Sequence, residues 1–333
     1  MTEPFPKDLW CTETGWEVID MAGTWDVTKI PDQTGKRVVI TGSNSGIGFE
    51  AARVLAEKGA QVVLAVRNLD KGNEAVRRIG NEVPGAEVEV MPLDLADLDS
   101  VHSFADAYQA KWNTLDTLIN NAGVMAPPHR QTKDGFELQF GTNHLGHFAL
   151  TGRLINTLVG TPSARIVVVS SAAHNMGSID FDNLNWTDGY RRWRAYGQSK
   201  LANLLFAYEL QRRFLQIGAD AKCIACHPGF AATNLTAAGM GLGKSWLGKG
   251  IGGFANVFAQ SASMGALPTL YAATEPGLKG GEYIGPTTRG GKNSMRGYPG
   301  IVSSNQRSMD KEVAKRLWEV SEELTGVRFT ALD

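Results

Sequence analysis

Tyr196 and Lys200 stand four residues apart in Tyr196-Gly197-Gln198-Ser199-Lys200, a spacing that places both on one face of a helix. A phenol normally keeps its proton to about pH 10. An ammonium one turn away favours the phenolate and moves the group toward general acid/base work. The pattern alone fits an exposed surface pair equally well, so its neighbours decide its meaning. Far upstream lies Thr41-Gly42-Ser43-Asn44-Ser45-Gly46-Ile47-Gly48, between the apolar run Val38-Val39-Ile40 and Ala51-Ala52-Arg53-Val54-Leu55. Strand, glycine turn and helix form the context that a dinucleotide fingerprint requires. Glycines let the backbone approach a pyrophosphate, and the helix start offers free N–H groups with a favourable dipole.

The second apolar run ends Leu64-Ala65-Val66-Arg67-Asn68. A site that prefers NAD(H) usually has an acid there for the ribose 2′-hydroxyl. Here an arginine stands instead, and a guanidinium pairs with a 2′-phosphate. The expectation is NADP(H) over NAD(H), with Arg67 as main discriminator and Ser43 or Asn44 assisting.

Short β-branched runs alternate with longer amphipathic stretches from Arg37 onward. Runs at 38–40, 62–64, 88–91, 117–119, 165–169 and 220–226 read as strands. Stretches near 47–58, 70–80, 97–112, a long one ending near 159, 196–217 and 310–324 read as helices. Strands apolar on both faces, alternating with helices, predict an α/β fold in one domain: a doubly wound parallel sheet of about seven strands with helices on both faces. Residues 1–35, with Trp10, Trp16 and Trp25, read as an arm that packs its aromatics on the body. A polar, Trp-rich insertion spans 174–194. The glycine-rich stretch 229–265 reads as a substrate loop.

The composition is that of an ordinary globular protein, 43% hydrophobic and 20% charged. A formal charge of −1 suggests neither nucleic acid nor an anionic membrane as partner. Cys11, Cys223 and Cys226 form no disulfide framework, and Cys223 and Cys226 fall on opposite faces of a strand. His144, His147, His174 and His227 lie on separate elements without ligand spacing, so no metal is expected. His147 and His174 read as packing or cleft-lining groups. Met1 to Trp10 lacks the regions of a signal peptide, and no 18-residue apolar run occurs. The expected location is cytoplasmic.

Taken in order, these motifs resemble the short-chain dehydrogenase/reductase family, over nearly all of residues 36–325. The resemblance implies a Rossmann-type fold. Thr41 to Gly48 is similar to its glycine motif, and Asp94-Leu95 to the pair at the adenine ring. Asn120-Asn121-Ala122-Gly123 is similar to the motif beside the ribose. His227-Pro228-Gly229, with Thr233 beyond, is similar to the segment at the nicotinamide carboxamide. Asn143, Ser171, Tyr196 and Lys200 match its catalytic positions. The resemblance implies that Tyr196 protonates a developing alkoxide while Ser171 binds the substrate oxygen. Lys200 would lower the phenol's pKa and hold the nicotinamide ribose, and Asn143 would order a water linked to Lys200.

Asn143-His144-Leu145-Gly146-His147-Phe148 and the 25 positions from Ser171 to Tyr196 look most like the retinol dehydrogenase and protochlorophyllide reductase branch. Membrane-bound retinol dehydrogenases carry an N-terminal apolar anchor that this sequence lacks. Many relatives pair through the two long helices placed here near 134–159 and 196–217, which leaves monomer and homodimer both open. Val124 to Pro128, Ala172 to Met176, Trp186, Trp193, Trp246, Phe254 and Phe258 are candidate pocket walls. The leading reading is an NADP(H)-dependent oxidoreductase of a bulky hydrophobic carbonyl or alcohol. Reduction of a conjugated C=C bond and a non-catalytic NADP(H) sensor are the alternatives.

Overall fold

Alternation along each strand sends successive side chains to opposite layers. Val39, Val63, Leu118, Ile166 and Val168 enter one core, while Val38, Ile40, Val62, Leu64 and Val167 enter the other. The computed structural model describes residues 24–230, 261–288 and 291–332. Expectations for Trp10, Trp16, Thr233, Trp246, Phe254, Phe258 and the glycines between 239 and 253 lie outside the described residues.

The strands are β1 (Arg37–Thr41), β2 (Gln61–Val66), β3 (Val88–Pro92), β4 (Thr117–Asn120), β5 (Arg165–Val169), β6 (Lys222–Cys226), β7 (Tyr283–Thr287) and β8 (Tyr298–Ile301). They form one sheet in the order β3-β2-β1-β4-β5-β6-β7-β8. Seven run parallel, and β8 is antiparallel to β7, pairing Ile284 with Ile301 and Thr287 with Tyr298. Eight strands fit the expected sheet of about seven; β7 and β8 lie outside the six runs read as strands, and proline is tolerated in β8 because it is an edge. Strand order reverses between β1 and β4, which opens a crevice at their C-terminal ends.

The helices are α1 (Gly46–Glu57), α2 (Leu69–Glu82), α3 (Leu98–Lys111), α4 (Leu138–Phe140), α5 (Gly146–Arg153), α6 (Ile155–Val159), α7 (Arg192–Gln216), α8 (Ala262–Thr274) and α9 (Lys311–Thr325). The long helix expected before residue 159 is interrupted. A π turn, Gly141–Leu145, joins α4 to α5, and Leu154 leaves helical geometry before α6. Such turns often mark functional sites. No sequence signal announced α8, because it is buried on most sides and carries no apolar stripe. Among the described parts of the arm, Trp25 packs edge-on against Tyr271 of α8 and donates to Glu275 at 3.1 Å.

Every residue from Gln139 to Gly152 and from Ala195 to Gln211 is buried. The chain's own α9 covers both segments. Trp318 stacks on Phe206 with ring centres 5.7 Å apart and meets Phe148 edge-on at 5.2 Å. The Arg213 guanidinium lies 4.2 Å over the Trp318 ring, and Arg212 and Arg213 both bind Glu209.

Candidate active site and dinucleotide seat

The glycine turn after β1 tolerates no side chains at two positions. Gly42 has φ +66°, and a Cβ there would stand 2.8 Å from the Ala122 Cβ. At Gly48 a Cβ would stand 2.5 Å from Asn121 Nδ2 and 2.9 Å from the Gly42 carbonyl. Ser45 begins α1 without a side-chain cap bond, which leaves the first amides of the helix to an external anion. A close backbone with an uncapped helix start fits a pyrophosphate. Thr41 stitches this turn to the end of β4: its hydroxyl accepts from the amides of Asn121 and Ala122, each at 2.9 Å.

One assisting residue is corrected. Ser43 is fully buried, and its hydroxyl donates to the Ile40 carbonyl at 2.8 Å. That bond commits the hydroxyl proton to the strand end, so the side chain has no proton left to donate to a 2′-phosphate. Asn44 is half-buried, and Arg67 is 75% exposed with its guanidinium 4.0 Å from the Asp94 carboxylate. Asp94 also accepts from Ala96 N–H at 3.0 Å. Leu95 is buried beneath α5, where Gly146 leaves room for the Leu95 carbonyl, 2.4 Å from where a Cβ would be.

Tyr196 and Ser171 meet because two backbones nearly touch. A Cβ on Gly177 would lie 2.3 Å from the Gly197 carbonyl, so the short turn Ala172–Met176 packs directly on the start of α7. Ser171 caps that turn, accepting from Ala173 N–H at 3.2 Å, and its hydroxyl faces the Tyr196 phenol. Ser170 donates to the Lys200 carbonyl at 2.7 Å, and Lys200 Nζ donates to the Val169 carbonyl at 3.1 Å. Gly123 brings the end of β4 close, with its would-be Cβ 3.1 Å from Asn143 Oδ1 and 3.6 Å from Lys200 Nζ.

The electrostatics differ from the expectation for the pair. Burial pushes the Tyr196 phenol up to about 12, with the Ser171 hydroxyl pulling the other way. Burial also pulls the Lys200 ammonium down to about 8. Lys200 Nζ lies 5.8 Å from the centre of the Tyr196 ring, and burial is the main influence on the phenol. In the protein alone Tyr196 is therefore a protonated acid.

Asn143, expected to order a water linked to Lys200, is held within the protein by both its side chain and its main chain. Its side-chain amide donates to the Val124 carbonyl at 2.9 Å and to Ser199 at 2.9 Å, and accepts from Val124 N–H at 2.7 Å. Its main-chain carbonyl accepts from His147 Nδ1 at 3.0 Å. His147 Nε2 therefore accepts, and the Thr41 hydroxyl donates to it at 2.8 Å. Expected as packing, His147 is a strut from the glycine turn to the π turn, a role its type and position did not reveal. His174 accepts from Asn305 N–H at 3.4 Å and binds the Ser171 carbonyl at 2.7 Å.

Cys223 and Cys226 fall in opposite cores, as alternation requires. His227 is buried, and its Nδ1 accepts from Gly229 N–H at 3.2 Å. Among the expected pocket walls, Trp193 stands exposed beside Tyr196, ring centres 6.3 Å apart, and Met176 is exposed next to Gly197. Trp186 instead packs edge-on to Tyr190 at 6.2 Å.

Residues 36–240 match the family model described as short chain dehydrogenase. The chain is 40% identical over 297 residues to retinol dehydrogenase 12 of Mus musculus, covering 89% of this chain and 88% of that protein. It is also 40% identical over 296 residues to retinol dehydrogenase 13 of Homo sapiens, covering 88% and 85%. A crystal structure of an uncharacterized protein from Mycobacterium paratuberculosis shares 42% identity at a TM-score of 0.76, covering 92% of this chain and 99% of that one. Site, sheet and relatives agree: the chain belongs to the short-chain dehydrogenase family, in its retinol dehydrogenase-like branch.

Proposed function

We propose that this hydride-transfer oxidoreductase uses NADP(H) to interconvert a bulky hydrophobic carbonyl and its alcohol, with Tyr196 as general acid/base. The observation that carries the reading is the convergence of Ser171, Tyr196 and Lys200 at the end of β5, beside the glycine turn at the β1/β4 reversal. Gly42 to Gly48 would seat the pyrophosphate and Arg67 the 2′-phosphate. Asp94 and Leu95 would border the adenine, Asn121 to Gly123 and Lys200 the riboses, and Pro228 and Gly229 the carboxamide. When bound, the nicotinamide supplies or accepts the hydride.

The protein's own part is proton transfer and orientation. Tyr196 carries its proton throughout the neutral range and gives it to the oxygen that gains charge during reduction. Ser171 accepts from the Ala173 amide, which leaves its hydroxyl proton free to donate to the same oxygen. Trp193 and Met176 offer apolar surface beside the phenol.

The test is NADPH consumption over aldehydes, ketones and enones of graded size, beside Tyr196→Phe. Large apolar carbonyls should be consumed, and Tyr196→Phe should bind NADPH normally while turnover falls about 10²- to 10⁴-fold. Full turnover in Tyr196→Phe overturns the mechanism. Consumption of enones alone would favour C=C reduction.

A further inference from the structure

Residues 177–191 lengthen the path from Ser171 to Tyr196 and are tied to the body at several points. Gln198, between Tyr196 and Lys200, donates to the Leu184 carbonyl at 3.1 Å and accepts from Asp180 N–H at 3.4 Å. Asn185 Oδ1 accepts from Glu137 N–H at 3.0 Å. The segment also closes on itself, because Asn183 accepts from Thr187 N–H at 2.8 Å and donates to the Asp188 carbonyl at 3.0 Å. Its end delivers Tyr190 to Val124–Pro128, expected from the sequence as a pocket wall.

That wall, Val124 to Pro128, leaves β4 without regular structure. Ala126 in its middle has φ +49° and is 1% exposed. A residue with a Cβ avoids this left-handed conformation unless its surroundings impose it. The imposing contacts are visible. Gln139 Oε1 accepts from Ala126 N–H at 2.8 Å, and the Tyr190 hydroxyl donates to the Pro127 carbonyl at 3.0 Å. Gln139 Nε2 in turn donates to the Tyr190 hydroxyl at 3.0 Å and to the Arg192 carbonyl at 3.0 Å. The buried Glu137 carboxylate stands 3.4 Å from the same hydroxyl and accepts from Phe140 N–H at 2.8 Å. His129 packs on the Tyr190 ring at 4.7 Å.

We propose that Tyr190, Gln139 and Glu137 form a clamp through which the 177–191 segment fixes the Val124–Pro128 wall, making them positioning residues for substrate choice. None of the three contacts the Tyr196 phenol in the structure, so their effect falls on fit rather than on proton transfer. The consequence for substrate choice rests on the carbonyl reading above; the clamp itself does not.

Two variants test it: Tyr190→Phe, which keeps the ring and its packing, and Gln139→Leu, which keeps the volume. Residue-level amide exchange is read at Ala126, with Val124 as internal control because Asn143 holds it independently. Ala126 should exchange about tenfold faster in both variants while Val124 stays within about twofold. With NADPH and a graded aldehyde series, KM for the largest members should rise about five- to tenfold, with kcat on the smallest and NADPH affinity unchanged. Unchanged Ala126 exchange in Tyr190→Phe overturns the clamp, even if Gln139→Leu fails to fold. Faster exchange with equal loss on every aldehyde overturns the role in substrate choice. A wild-type protein that turns over no carbonyl refutes the functional reading, and Ala126 exchange then decides the clamp alone.

Discussion

Arg67, proposed to hold a 2′-phosphate, is an exposed cation 4.0 Å from the Asp94 carboxylate. A charge-assisted bond to a 2′-phosphate is worth about 1.5–3 kcal/mol, and exposure lowers that. Arg67→Ala should weaken NADPH binding about tenfold and leave NADH binding within about twofold, read by fluorescence titration. Equal losses for the two would remove Arg67 from the discrimination. At this scale the sequence was legible where residue type suffices: the glycines of the turn after β1 have no room for side chains, and Ser171, Tyr196 and Lys200 come together at the end of β5. It was silent where orientation decides. That the Ser43 hydroxyl turns to the Ile40 carbonyl and the Asn143 amide to Val124 and Ser199 depends on the folded path of the chain, which residue type does not give. The phenol's acidity went astray for a related reason, since spacing shows a nearby charge and not the loss of water around it.

Among the elements, the contact of the 172–176 turn with the start of α7 sets the geometry of Ser171 and Tyr196. Gly177→Ala would drive a Cβ into the Gly197 carbonyl, a backbone atom that cannot turn aside. The expected cost is about 1–3 kcal/mol, seen as a lower thermal midpoint. Turnover should fall more than NADPH affinity, because the turn carries Ser171 and not the dinucleotide seat. Unaltered stability and turnover would show that the two backbones have room to part. Strands β1 to β6 and their helices were readable because apolar runs alternate with amphipathic ones. β7, β8 and α8 were not, since glycine and proline in the strands and all-round burial of the helix erase the patterns that periodicity needs.

For the molecule as a whole, buried histidines predict lability to acid. Burial holds His144 down to about 3 and His147 and His227 down to about 4, against an ordinary value of 6.5. The unfolded chain binds protons at these sites near pH 6.5 while the folded chain does not, so unfolding takes up protons between those values. The stability tied to them is present above pH 6.5 and is lost as pH falls toward 4. Denaturant midpoints should drop from pH 7 to pH 5, with each histidine contributing up to about 1.4 kcal/mol per pH unit. A flat profile over that interval would mean that the three are accessible.

The burial of α5 and α7 also bears on how many chains make one working unit. With α9 laid across them, residues 139–152 and 195–211 are covered from within the chain. On this side α9 reaches both segments through Trp318, which lies against the Phe148 and Phe206 rings. A second copy could dock there only by evicting Trp318 from the Phe148 and Phe206 rings.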